Sequence, residues 1–268
     1  MDKQSPPQGP PAFPSPPGPT TPTADVRAKP WWGLGDVVVG LLIVMAVATL
    51  AGFAVLPFLS SSERAAMSDG DSVPDLVLVV SLVAFQFSMW AWPVYVAKKK
   101  GYGATNDFGF WIKPIDIGLG FATAVVVFLA AAGVNFVVSG LVGLDVGAEE
   151  STNTEVLTEA GDRALLWIMA AAIIGAPLVE ELFFRGLCLR AIQKRAGTVV
   201  AVIGSTVLFV LPHFTFSSSA GTIVLFASLG AVGIILAIVA VWVGRLGPSI
   251  IAHSLFNLVG ALAVLVGR

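Results

Sequence analysis

Between Gly33 and Val266 the chain is a succession of apolar runs, most of them more than 20 residues long, separated by short polar segments. A helix rises about 1.5 Å per residue, so about 20 apolar residues cross the roughly 30 Å hydrocarbon core of a bilayer. Inside lipid such a run must satisfy its own backbone hydrogen bonds, and at this length a helix is the way to do so. Composition agrees: 56% of the 268 residues are hydrophobic and 12% are charged, about half the charged share of a soluble domain. The expected fold class is all-α, a polytopic membrane helical bundle of about seven transmembrane helices.

Residues 1–30 hold ten of the 17 prolines among Gln, Ser, Thr and Gly, a composition that buries little. They read as a disordered, Pro-rich cytoplasmic tail without the marks of a signal peptide, and residues 31–268 as the transmembrane domain. Trp31 and Trp32, preceded by Arg27 and Lys29, open helix one, Gly33 to Leu59, from the cytoplasmic side. The loop Ser60 to Val73 carries Glu63, Asp69 and Asp71 against Arg64, so it lies outside. Helix two, Pro74 to Ala97, ends in Lys98, Lys99 and Lys100. Helix three spans Ile117 to Val142, and the loop Asp145 to Asp162 is strongly acidic and external. Helix four, Arg163 to Arg195, returns to a basic end at Arg190, Lys194 and Arg195. Helix five follows Gly197, helix six runs from Ala220 to Val243, and helix seven from Pro248 to Val266. An eighth, broken segment near Ser217 to Phe226 is compatible with the same pattern. Every basic end then falls on one side, as expected of a multi-pass protein of the cell membrane with a cytoplasmic N-terminus. The net charge of -2 gives no reason to expect nucleic acid as a partner. Cys188, the single cysteine, reads as a packing residue.

Within helix four the stretch Ala176 to Gly186 places Glu180, Glu181 and Arg185 among apolar residues. On an insertion scale each costs roughly 2.5 to 3.5 kcal/mol at a helix centre, and the surrounding Leu, Ile, Val and Phe recover only about half of the sum. A cluster of this kind marks a functional site. The only two histidines, His213 and His253, also lie in apolar segments. Counting back from the turn near Ala196 and Gly197 puts Glu180 and His213 at nearly equal depth, about 22 to 25 Å from the apex. His253 sits a few residues inside Pro248, so the three motifs can meet. Glu181 and Arg185 are four apart and can pair, while Glu180 points about 100° away and is free to face a cavity. His253 and Asn257 share a face. Pro177 and Pro212 each free a carbonyl. Two histidines and two glutamates suffice either for water activation or for a zinc site with an open position. The adjacent helical ligands of an H-E-x-x-H motif are absent.

Three ordered motifs, Glu180, Glu181 and Arg185, then Phe209 and His213, then His253 and Asn257, resemble the CPBP family. These are the CAAX-protease and bacteriocin-processing intramembrane endopeptidases, also called the Abi family. The likeness covers roughly residues 115–268. It implies hydrolysis of a peptide bond in a membrane-associated or prenylated peptide, with Glu180 as general base and His213 as its partner. It further implies that His253 and Asn257 stabilise the oxyanion, and that Glu181 and Arg185 orient the site. The family's metalloprotease label would make Glu180, His213 and His253 the zinc ligands, whereas its glutamate-dependent description needs no metal. The partners implied are the lipid bilayer and a peptide or protein substrate, whether a CAAX peptide, a bacteriocin leader or a membrane-anchored regulator. Two other classes fit the composition: a non-catalytic scaffold or bacteriocin-immunity protein of the same fold, and a proton-coupled transporter. The latter usually shows two related halves, and no such repeat is present.

Overall fold

A computed structural model describes residues 30–70, 72–143, 162–213 and 220–267. The Pro-rich tail and nearly all of the acidic segment from Asp145 to Asp162 lie outside the described residues. Among those residues there is no strand. The chain forms α1 (Leu34–Val55), α2 (Ser61–Asp69), α3 (Asp75–Lys100), α4 (Ala104–Phe108) and α5 (Ile115–Val142). Helix α6 then occupies 162–196 and α7 198–210, followed by a short 3-10 turn, Leu211–His213, and by α8 (Ala220–Val243) and α9 (Gly247–Gly267).

Five segments are long and apolar enough to cross a membrane, and one of them, Leu165–His213, is 49 residues long. That is more than twice what one crossing needs. It folds back on itself at Gly197, whose φ of 81° and ψ of 175° are open essentially only to glycine. The two arms lie side by side: the Phe184 and Phe209 rings are 5.6 Å apart, and Leu189, Ala201 and Val202 share one buried cluster. Counting the two arms separately and adding α9, the apolar helices among the described residues number seven. From Ala220 onward α8 is uninterrupted, so the described part of the stretch near Ser217 to Phe226 is no separate segment.

Between α1 and α3 a helix replaces the expected loop. Ser60 caps it: its hydroxyl accepts the Glu63 N–H at 3.2 Å, while its own N–H donates to the Glu63 carboxylate at 2.8 Å. This reciprocal box satisfies two of the free amides that a helix start leaves over. Hydrogen bonds from Ser60 also hold the Glu63 carboxyl below the usual carboxylate range. Gly70, in the left-handed region, ends the helix.

Helix α1 packs on α3, and α5 packs on both α8 and α9. The main buried cluster draws Trp32 and Val44, Met89 and Val96, Phe108, Phe183 and Phe184, Phe209 and Ile250 into one core. Its centre is the stretch Glu181–Cys188, in which every residue is buried, Cys188 included. On the outside the pattern inverts, and large apolar side chains such as Leu42, Phe53, Phe87, Val126, Leu129 and Phe136 are exposed. An apolar outer face is what lipid requires, and the protein is an integral membrane protein.

The basic ends gather at one end of the bundle. Lys100 Nζ pairs with Asp36 Oδ1 at 2.6 Å, and Lys194 Nζ lies over the Trp32 ring. Arg190 donates to the Gly244 carbonyl at 3.1 Å, and Arg245 forms a close ion pair with Asp116. These contacts tie α1, α3, α6 and the α8–α9 turn together below the buried centre.

Candidate active site

Two departures from α-helical winding set the site. Ala171–Gly175 and Glu181–Cys188 within α6 are π-helical, with hydrogen bonds reaching one residue further than in an α-helix. Such turns rotate the side chains that follow and are frequent at functional sites. They flank Ala176–Glu180, so both glutamates stand at the junction with the second of them.

Glu181 and Arg185 are fully buried, with the guanidinium Nη1 3.0 Å from Glu181 Oε1. A buried ion pair needs further partners to offset its desolvation. Arg185 finds two: Nη2 donates to the Gly233 carbonyl of α8 at 3.2 Å, and the guanidinium stacks over the Phe209 ring at 4.3 Å. The carbonyl contact requires α8 to approach closely, and a Cβ on Gly233 would collide with Thr206 and press on Phe209. Glu181 Oε1 also accepts from His253 Nδ1 at 3.1 Å. The carboxylate thus assigns the proton to Nδ1, which in the neutral ring leaves the Nε2 lone pair pointing away from Glu181. That nitrogen faces Glu180 Oε2 at 3.8 Å. Glu180 is the accessible glutamate of the pair: its side chain is 14% exposed and that of Glu181 is not exposed at all.

The structure therefore joins Glu180, Glu181, Arg185 and His253 directly. His213 stands one ring away, at the end of the 3-10 turn. Its Nδ1 lies 3.1 Å from the Phe209 carbonyl and its ring 5.5 Å from the Phe209 ring. The same Phe209 ring meets His253 edge-on at 5.8 Å, so both histidines pack against one aromatic side chain. The imidazole that faces Glu180 is that of His253, through Nε2 at 3.8 Å. Asn257 turns its amide to the carbonyl of Ala172, at 2.7 Å. Spacing along an ideal helix could not reveal either preference, because the π turns reset the azimuth of Glu180.

These donors do not fit a zinc site. Glu181 is held by Arg185 and His253 Nδ1, and the Nδ1 of His213 is taken by the Phe209 carbonyl. Among the described residues no three His, Cys, Asp or Glu side chains are grouped to hold an ion.

A residue outside the three motifs also reaches the site. Gln86 of α3 donates from Nε2 to the Ala171 carbonyl at 3.1 Å, next to the carbonyl taken by Asn257. A lone carboxamide in the middle of an apolar membrane helix was the signal for it.

A helical membrane bundle with a buried carboxylate, histidine and arginine at its centre is the class that fold and site define. Residues 162–259 match the family described as Type II CAAX prenyl endopeptidase Rce1-like. The match is in keeping with the resemblance carried by the three motifs, all of which lie within it. No curated protein and no solved structure matches the chain.

Proposed function

We propose that the chain is an intramembrane endopeptidase that hydrolyses a peptide bond of a membrane-associated substrate with a water activated by Glu180. The observation that carries this reading is the arrangement Glu181, His253, Glu180. One carboxylate, neutralised by Arg185, orients the imidazole, and the imidazole faces a second, accessible carboxylate. A water that donates one hydrogen to Glu180 Oε2 and the other to His253 Nε2 directs its lone pair at a peptide carbonyl. Glu180 takes the proton as the C–O bond forms, and passes it to the amine as the C–N bond breaks. The second N–H of the Asn257 amide is the donor left to hold the oxyanion, joined by His213 when its ring is an imidazolium, since Nδ1–H is given to the Phe209 carbonyl. By the positive-inside rule the basic end of the bundle faces the cytoplasm. A C-terminally prenylated peptide is the substrate class that the family match favours.

Purified protein in nanodiscs, mixed with fluorogenic C-terminally lipidated peptides, tests the reading. Cleavage that is abolished in Glu180→Gln and unchanged by a zinc chelator is the expected result. Loss on chelation with recovery on added zinc would make the glutamate a ligand instead. A wild type inactive on every peptide, like its folded variant, would favour the scaffold.

A further inference from the structure

The first π turn of α6 has a donor deficit. The Ala176 N–H donates to the Ala171 carbonyl, and the next residue, Pro177, has no N–H to give. The carbonyl of Ala172 thereby loses both its α-helical and its π-helical donor from within the helix. A carbonyl left unpaired at this depth forfeits its solvation with nothing in return, so a donor from outside must supply the bond. Two carboxamides from different helices do so side by side. Asn257 of α9 donates to Ala172, and Gln86 of α3 adds a second donor to Ala171. The Gln86 side chain is also seated against the helix surface: a Cβ on Gly175 would run into its Oε1.

We infer that Gln86 is a positioning residue, which together with Asn257 clamps the Ala171–Gly175 π turn and so sets the azimuth at which Glu180 meets His253. The turn lies one helical turn before Glu180, and inserting or removing its extra residue rotates everything that follows by about 100°. Helix α3 lies wholly outside the matched region 162–259, so the N-terminal part of the chain reaches into the site's geometry. The catalytic consequence rests on the endopeptidase reading; the clamp itself does not.

The experiment separates the two. Gln86→Met keeps length and shape and removes the donor, and Gly175→Ala displaces the carboxamide without touching it chemically. Hydrogen exchange of the 171–180 backbone, read by mass spectrometry in nanodiscs, needs no activity. Both variants are expected to speed exchange there at least tenfold while exchange in α5 and α8 stays as in wild type. In the peptide assay both are expected to lower kcat about tenfold with KM unchanged, and to move the acid limb of the kcat profile, because Glu180 and His253 no longer face each other. Unchanged exchange at 171–180 in folded protein overturns the clamp. Faster exchange with kcat and pH profile intact in an active protein overturns the positioning role. Activity that falls only in proportion to the folded fraction overturns it too. If wild type cleaves nothing, the endopeptidase reading fails and the exchange result still decides the clamp.

Discussion

Glu180→Gln is expected to lower kcat for peptide cleavage by roughly 10²–10⁴, the usual contribution of a positioned general base, with the melting temperature preserved. The asymmetry between the two glutamates decides which of them can act. Glu181 has one oxygen shared by Arg185 and His253, and its whole side chain is buried, so neither oxygen is open to a water in the way that Glu180 is. Glu180 is partly exposed and faces the imidazole at 3.8 Å. His253→Gln removes the group that aligns the water and is expected to fall in the same range, whereas His213→Gln, which loses only an oxyanion donor, costs about 10²–10³. Cleavage rates beside thermal unfolding curves for the three variants check the order. A folded Glu180→Gln of wild-type activity, beside an inactive folded Glu181→Gln, would transfer the base to Glu181.

The second large effect is on stability. Arg185→Met leaves the Glu181 carboxylate in the core without its cation, and breaking a buried pair from one side costs about 3–5 kcal/mol. It also empties the stack over Phe209 and frees the Gly233 carbonyl. The melting temperature should therefore drop sharply, and Arg185→Lys should recover little, since a single ammonium cannot reach carboxylate, carbonyl and ring at once. The double variant Arg185→Met, Glu181→Leu removes both charges and is expected to be more stable than Arg185→Met alone. An unchanged unfolding temperature in Arg185→Met would mean that the pair holds nothing together.

How much of this was legible in the sequence depended on the kind of signal. Spans such as Ile115–Val142 follow from hydropathy alone, because lipid imposes one solution on an apolar run. The Glu181–Arg185 pair was legible from its spacing, and it survives the change from α to π winding. The alternating crossings put the basic ends on one side, and Lys100 with Asp36, Lys194 with Trp32 and Arg190 with Gly244 link those ends to one another. The partner of Glu180 was not legible. Depth could be counted, and it brought both histidines near, but azimuth depends on two π turns that no residue pattern announces. Pro177 hinted at a freed carbonyl without naming Asn257 as its donor, and Gln86 stood outside every motif. Helix α2 was hidden by its charge, although the box of Ser60 and Glu63 was written in the loop.

The most direct measurement is a single turnover of a lipidated peptide by the nanodisc-bound protein in water labelled with ¹⁸O, with mass spectrometry of peptide and protein. If Glu180 activates water for direct attack, one ¹⁸O appears in the new peptide carboxyl, none appears in the protein, and Glu180→Gln forms no product. Unlabelled product with ¹⁸O in a Glu180 peptide, or equal product from Glu180→Gln, would contradict the account.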